Sequence, residues 1–480
     1  MTRYGVMVPG ATEAGPQVEV VAPFDRKAIG SVATTGAATV EHALQIAHGL
    51  FRRREAWLPA ARRIEILESA AARVKQRAEA LALEAAREGG KPLADSRVEV
   101  ARAADTLRVC AEQLRTQPGA VIPMNLGASS ANRLAFTLHE PIGVVLAISA
   151  FNHPLNLIAH QVGPAVASGC PVLIKPARAT PLSCYRLVEI LRECGLPEEW
   201  CMPIMPADNA LTAHIAADPR IAFLSFIGSA KVGWALRAQL APGTRCALEH
   251  GGAAPVIVAA DADLDEAVPL LVKGGFYHSG QVCVSVQRIY VDEAIAGELA
   301  QRVAAAATKL KVGDPTLADT EAGPLITPDE VQRVDEWIAE ALQRGARLLC
   351  GGRRISQTCY APTVLLDPPD DVRVSTQEVF GPLVCIYRYK NMDEALARAN
   401  ALEVAFQAAV FTRNLDTALH CARRLDASAV MVNDHTAFRV DWMPFAGLKH
   451  SGLGTGGVPY SMHEMQVQKM IVLRSKMVRP

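Results

Sequence analysis

The chain has 480 residues, with Lys+Arg and Asp+Glu both at 49 and a hydrophobic share of 50%. That length exceeds what one hydrophobic core supports, so two or more domains are expected. The balanced charge, without long runs of one sign, excludes the usual signatures of nucleic-acid or membrane-surface binding, and no apolar stretch is long enough to span a bilayer, which points to a small-molecule partner.

The N-terminal MTRYGVMVPGATEAGP lacks the apolar core of a secretory signal. Eleven cysteines, an odd number without a CxxC pair or zinc-finger spacing, fit reduced thiols in a cytoplasm, with neither disulfides nor a metal expected. From Ala37 to Gln117 apolar residues recur three and four apart, as at Ile64, Leu67, Ala71 and Val74, which predicts a helical layer. Val121 to His139 is polar with a β-like end. Short apolar runs follow at Gly143 to Ile148, Val172 to Ile174, Ile221 to Phe226 and Pro255 to Val258, between helical stretches such as Pro154 to Ser168 and Thr180 to Cys194. Strand alternating with helix implies a mainly parallel, doubly wound sheet.

A second alternating series starts near Asp263 and runs through the strand-like Ser285 to Val291, the helix-like Ala294 to Leu310 and the Val430 to Asn433 run. In the tail from Tyr460, MQVQKMIVLR reads as a strand. A terminal strand needs a partner, and an intersubunit sheet is one place to find it.

Three segments place reactive side chains at element ends. In HSGQVCVSVQRIYV, Cys283 follows a Gly-containing turn and precedes a β-branched run, at a loop-to-strand junction where a thiol can be exposed; most cysteines in such a chain are small apolar filler. In ALEHGGAAPVIV, Glu249 ends a strand-like run, before Gly251 and Gly252, which permit close backbone approach. In ISAFNHPL, Asn152 stands where a strand ends and Pro154 opens a helix. Singly, a strand-end Asn or Glu is more often a cap or turn former.

Together, and in this order, these segments resemble the aldehyde dehydrogenase superfamily over nearly the whole chain. IKPARATP around Lys175, FIGSAKVG around Gly228 and Ser229, QEVFGP around Glu378 and Phe380, and PFAGLKHSGLG from Pro444 to Gly454 extend the resemblance. It implies an α/β fold of two doubly wound Rossmann-like domains and a small β oligomerisation arm. Residues 1–120 and 142–250 would form the cofactor-binding domain, 251–457 the catalytic domain, and 121–141 with 458–480 the arm of a homodimer or homotetramer.

The implied chemistry is attack of the Cys283 thiolate on an aldehyde carbonyl, with hydride passing to NAD or NADP. The Asn152 amide and the Cys283 backbone N–H would stabilise the oxyanion, and Glu249 would activate water against the thioester. Gly228 and Ser229, at a strand-to-helix turn, would meet the pyrophosphate. Lys175 and Glu378 would hold ribose hydroxyls, Phe380 would lie near the nicotinamide ribose, and Ile148 and Phe151 would line the cofactor's path.

Some positions depart from the pattern. Arg178 stands three residues beyond Lys175, where NAD-preferring relatives often carry a Glu; an Arg there either binds a 2′-phosphate or is a solvated surface charge. His250 beside Glu249 reads as a packed neutral histidine rather than a catalytic group. NDHTAFRVDWMPF carries Arg439 toward the loop that borders the substrate entrance in similar enzymes. Its guanidinium either clamps an anionic aldehyde tail or pairs with Asp441 at the surface.

The tail VPYSMHEMQVQKM is similar to the branch containing non-phosphorylating glyceraldehyde-3-phosphate and lactaldehyde dehydrogenases, yet Val282 stands where the phosphosugar enzymes use an Arg. A CoA-acylating dehydrogenase, a catalytically silent binding protein on the same fold and a cysteine hydrolase are the competing readings. Glu249 disfavours the first, retention of Cys283, Asn152 and Glu249 the second, and the lack of a histidine partner motif the third.

Overall fold

The computed structural model describes residues 1–11 and 15–478. The predicted helical layer consists of four helices, Ala37–Arg52, Ala60–Gln76, Ala78–Gly89 and Leu93–Thr116. The second and fourth pack on each other and cover the helix Asn156–Ser168 through a core that includes Leu67, Val74, Leu107, Ile158 and Val162. Two carboxylates from this layer reach into the first α/β unit. Glu88 accepts hydrogen bonds from Leu182 N and Ser183 N, both at 2.8 Å, at the start of the helix Leu182–Glu193. Glu99 accepts from Leu155 N at 2.9 Å and Asn156 N at 3.0 Å while pairing with the fully buried Lys91. Each carboxylate satisfies backbone donors that a helix start leaves free.

The first unit is built on a six-stranded sheet in the order Gly452–Leu453, Arg245–Glu249, Ile221–Ile227, Val144–Ile148, Val172–Lys175, Cys201–Pro203. All neighbours are parallel except the Gly452–Leu453 edge. The chain leaves Val144–Ile148 toward one edge and returns to pair on its other side. This places a topological switch point, where open α/β sheets take ligands, at the ends of Val144–Ile148 and Ile221–Ile227.

The second unit has a seven-stranded sheet in the order Arg347–Cys350, Thr363–Leu366, Leu383–Tyr389, Val286–Asp292, Ala254–Val258, Gln407–Phe411, Ala429–Val432, again parallel but for the first strand. Its two faces are covered by separate apolar cores. The Pro255–Val258 run, read above with the first strand series, belongs to this second sheet, because only five residues lie between Glu249 and Pro255 and the chain crosses directly between units.

The third sheet pairs Gln466–Arg474 antiparallel with Arg133–Pro141 over nine residues, with Val121–Ile122 on the far side. The terminal strand thus finds its partner within the chain and leaves its own outer edge open. Residues 458–465, expected in the arm, lie elsewhere. The helix Val458–Glu464 packs on Asn156–Ser168 and buries Val458, Met462 and Met465 in the first unit's core. Gly452–Leu453, inside the stretch assigned to the catalytic domain, likewise joins the first sheet. Returning segments are claimed by whichever apolar face or sheet edge is open, which local pattern does not reveal. No described helix is long and apolar enough to cross a membrane.

Candidate active site

The carboxyl ends of the first sheet face the amino ends of the second across a cavity of about 870 Å³. Cys283, Glu249 and Asn152 all line it. Glu249 ends its strand, with its backbone carbonyl accepting from Gly228 N at 3.1 Å. Cys283 lies in a short turn before Val286–Asp292, preceded by His278 and Ser279 in the left-handed region (φ 48° and 54°). Such backbone costs about 1–3 kcal/mol per residue and persists only where surrounding contacts enforce it. Gln281 supplies them: its Nε2 donates to Pro324 O at 3.1 Å, and its Oε1 accepts from Ile326 N at 3.0 Å.

The same residue ties the two units together. Asn152 Nδ2 donates to the Gln281 carbonyl at 2.9 Å, which fixes the buried amide beside the nucleophile turn and leaves its second N–H for the cavity. The turn is held from below by Ser285 Oγ, which donates to Gly274 O at 3.1 Å, and by Thr436 Oγ1, which donates to Val284 O at 2.6 Å. Asn152 is followed by an irregular turn, and the helix opens at Asn156 rather than at Pro154.

Burial dominates the electrostatics. The Cys283 thiol is pushed up to about 12 by desolvation, opposed by the Arg439 charge and reinforced by Glu378 and Glu249. Glu249 is raised above the ordinary carboxylate range by burial, against a lowering contribution from Arg439. A thiol in this state needs a base and a cation to ionise, and both share its cavity. His250 is packed, its Nδ1 meeting His450 O at 2.9 Å and its ring lying edge-on to Phe226 and Trp234, and burial lowers its pKa.

The expected cofactor residues gather along the same cavity. Ile148, Phe151 and Lys175 come from the ends of two neighbouring strands, and Gly228 and Ser229 from the turn after Ile221–Ile227. Ser229 caps the helix Ala230–Arg237 without using its side chain, and a Cβ on Gly228 would meet the Phe226 ring at 2.8 Å. Glu378 and Phe380 enter from the second unit; Phe380 (φ 45°) packs edge-on to Phe151 at 5.8 Å. Glu378 is pushed up to about 8 by burial, while Gly252 N donates to it at 3.2 Å. A Cβ at Gly251 would fall 1.8 Å from its carboxylate. Arg178 is apart from this set, exposed outside the cavity wall with Nη1 donating to Ala207 O at 3.3 Å.

Arg439 lines the cavity, and its suggested pairing with Asp441 at the surface is overturned. Asp441 is 2% exposed and is bound by Arg102 and His160, because the loop turns it inward against the helical layer. Arg439 instead lies over the Phe445 ring at 3.6 Å. Sequence reasoning missed Arg102, Tyr277 and Gln281. Arg102 sits inside a long amphipathic helix where nothing distinguishes it from a solvated charge, whereas Gln281, two residues before Cys283, carried a signal in its neighbourhood.

The family model described as "Aldehyde dehydrogenase family" matches residues 11–471. The chain is 39% identical to a 3-sulfolactaldehyde dehydrogenase of Priestia aryabhattai over 86% of each chain. It superimposes with a TM-score of 0.95 and 34% identity on aldehyde dehydrogenase 21 of Physcomitrella patens in complex with the product succinate, covering 99% of both chains. It is also similar to a glyceraldehyde-3-phosphate dehydrogenase of Methanocaldococcus jannaschii complexed with NADP, at a TM-score of 0.91 and 34% identity, covering 97% of this chain and all of that one.

The Glu378 environment has a measurable signature. Its carboxyl holds a proton up to about 8 when folded but releases it near 4.5 when unfolded, so the stability it contributes is complete below 4.5 and is lost as pH rises through 8. Glu378→Gln removes that dependence. In thermal melts the variant should gain on the parent steadily as pH rises across this window; parallel Tm profiles would contradict the assignment.

Proposed function

The chain belongs to the aldehyde dehydrogenase family, an enzyme that oxidises aldehydes to carboxylic acids, and we propose that Cys283 is its nucleophile, Glu249 its general base and Asn152 an oxyanion donor. The observation that carries this reading is the convergence of all three, from separate strand ends and a turn, on one cavity.

Cys283 Sγ adds to the aldehyde carbon once Glu249 or water removes its proton, and the Arg439 charge favours the thiolate. The resulting oxyanion is met by the free Asn152 N–H and the Cys283 backbone N–H; loss of one such donor costs about 2.7–4 kcal/mol of transition-state stabilisation. NAD or NADP, bound in the cleft, supplies the hydride acceptor. Glu249 then takes a proton from water as it attacks the thioester carbon, and the acid departs as Cys283 is released.

The residues present fit such a cofactor. Gly228 and Gly251 keep the cleft open where side chains would fill it, the amino end of Ala230–Arg237 faces the cavity for a pyrophosphate, and Lys175 and the buried Glu378 carboxyl provide polar contacts for ribose hydroxyls. A small aldehyde with an anionic or hydroxylated tail suits the far wall, where Arg439 lies with Tyr277 and His153. The sulfonate and succinate named for the relatives above support that reading.

In Glu249→Gln, deacylation should fall about 100-fold or more. The aldehyde-derived acyl mass should accumulate on Cys283 in intact-protein mass spectrometry. The rise of the parent's rate with pH, governed by a carboxyl shifted upward by burial, should flatten. Unimpaired turnover in this variant or in Cys283→Ser would reject the assignment.

Arg178 lies outside the cavity wall, exposed and three residues beyond the cavity-lining Lys175, and as a cation in place of a carboxylate it would not repel a 2′-phosphate, so NADP should serve at least as well as NAD; a kcat/KM at least about tenfold higher with NAD would refute this. Self-association should follow from the open edges of Gln466–Arg474 and Ala429–Val432 and from the exposed Leu134, Leu138, Met470 and Leu473. Light scattering should give a multiple of 51.3 kDa, and a monomer mass would exclude it.

A further inference from the structure

In the segment between Ala429–Val432 and the helix Val458–Glu464, two opposite charges two residues apart, Arg439 and Asp441, meet different fates. Arg439 faces the cavity; its Nε is sealed from solvent and has no acceptor among the described residues. Asp441 is turned the other way. Arg102 Nη2 donates to its Oδ1 at 2.7 Å, His160 Nε2 lies 2.7 Å from the same atom, and its backbone carbonyl accepts from Val458 N at 2.9 Å. These contacts pin the loop to two helices of the first unit and hold the carboxylate away from its neighbour.

The arrangement fixes the charge presented to a substrate tail. Arg102 also lines the cavity, but Asp441 neutralises it. His160 and His153 are kept neutral by burial, and Val282 beside the nucleophile is apolar. One unpaired guanidinium remains on the far wall, with the Glu249 carboxylate acting on it from the reacting end. A single negative charge on the tail is balanced there; a second would be buried without a counter-charge and would feel Glu249, and burying an uncompensated charge is costly.

We propose that Asp441 is a positioning and specificity-determining residue: by binding Arg102 and His160 it stays off Arg439, and the lone guanidinium so left selects aldehydes whose far end bears one negative charge, a carboxylate or sulfonate, over a phosphate or phosphonate dianion. This rests on the reading of Arg439 as the group that meets the substrate tail.

The probes are sulfoacetaldehyde and phosphonoacetaldehyde, near-isosteric and respectively singly and doubly charged at about pH 8, with acetaldehyde as the uncharged control. The native enzyme should favour the sulfonate by about tenfold or more in kcat/KM. Asp441→Asn keeps the shape but frees the Arg102 charge; the preference should narrow about fivefold, through KM for the phosphonate. Arg102→Met should act in the opposite sense, raising KM for both anions as Asp441 becomes free to pair with Arg439.

A merely structural role for Asp441 would weaken all three substrates together, and that result, or a native preference for the phosphonate, overturns the proposal. If Asp441→Asn does not fold, Arg102→Met decides: a KM rise confined to the anions supports the proposal, and unchanged KM values reject it. Arg439→Ala separates the two levels. Equal losses on charged and neutral aldehydes defeat the clamp and this inference with it, whereas an anion-selective loss beside an unshifted Asp441→Asn ratio defeats this inference alone.

Discussion

The hydrogen bond from Asn152 Nδ2 to the Gln281 carbonyl is the contact on which the site depends. It joins the end of a strand in one α/β unit to the nucleophile turn of the other. Two sheets can meet end to end at many relative positions; a buried amide with a single well-placed acceptor allows few of them, because an unsatisfied polar group there costs about 1–3 kcal/mol. Gln281 extends the constraint by bonding to Pro324 and Ile326, so the strained backbone at His278 and Ser279 is held from several sides. The thiol of Cys283 therefore inherits its position from an interface rather than from its own strand.

Buried carboxylates divide the remaining work. Glu88 and Glu99 receive two backbone N–H groups each at helix starts, and their role is architectural: Glu99 docks the helical layer onto the turn that follows Asn152, and Glu88 docks it onto the start of Leu182–Glu193. Glu249 and Glu378 project into the cavity with far less compensation, and burial raises both. Burial also pushes Glu88 up to about 8 although the backbone donors at its helix start act against it, so those donors offset desolvation only in part. Asp441 is a third case, held well below the usual carboxylate range by His160 and Arg102 against the effect of burial, and so fully charged.

Much of the fold was legible along the chain. The three- and four-residue spacing of Ile64, Leu67, Ala71 and Val74 marked the helical layer, and the alternation of short apolar runs with helices marked parallel sheets, because both signals are local. Sheet membership was not. Ala254–Val258, Gly452–Leu453 and Val458–Glu464 each lie beside a unit boundary, and what they join depends on which edge or apolar face stands open once the rest has assembled. The motifs around Cys283, Glu249 and Asn152 could be recognised because each couples a reactive side chain to a turn or strand end. Arg102 offered no such pairing.

By itself the amino-acid order determined the identity of the elements, the reactive groups at their ends and the presence of Arg439 and Asp441 two residues apart. Only the tertiary structure decided that these last two would not pair. In sequence an Arg and an Asp at that spacing read equally as a surface ion pair or as a clamp beside an unrelated carboxylate, since nothing local separates the two. In space Arg102 and His160, hundreds of residues away, compete for the carboxylate and win it, because a buried anion is stabilised most by the site that offers it several donors at once. Distances along the chain carry no information about such competition, and so the charge that the cavity presents could be read only from the folded protein.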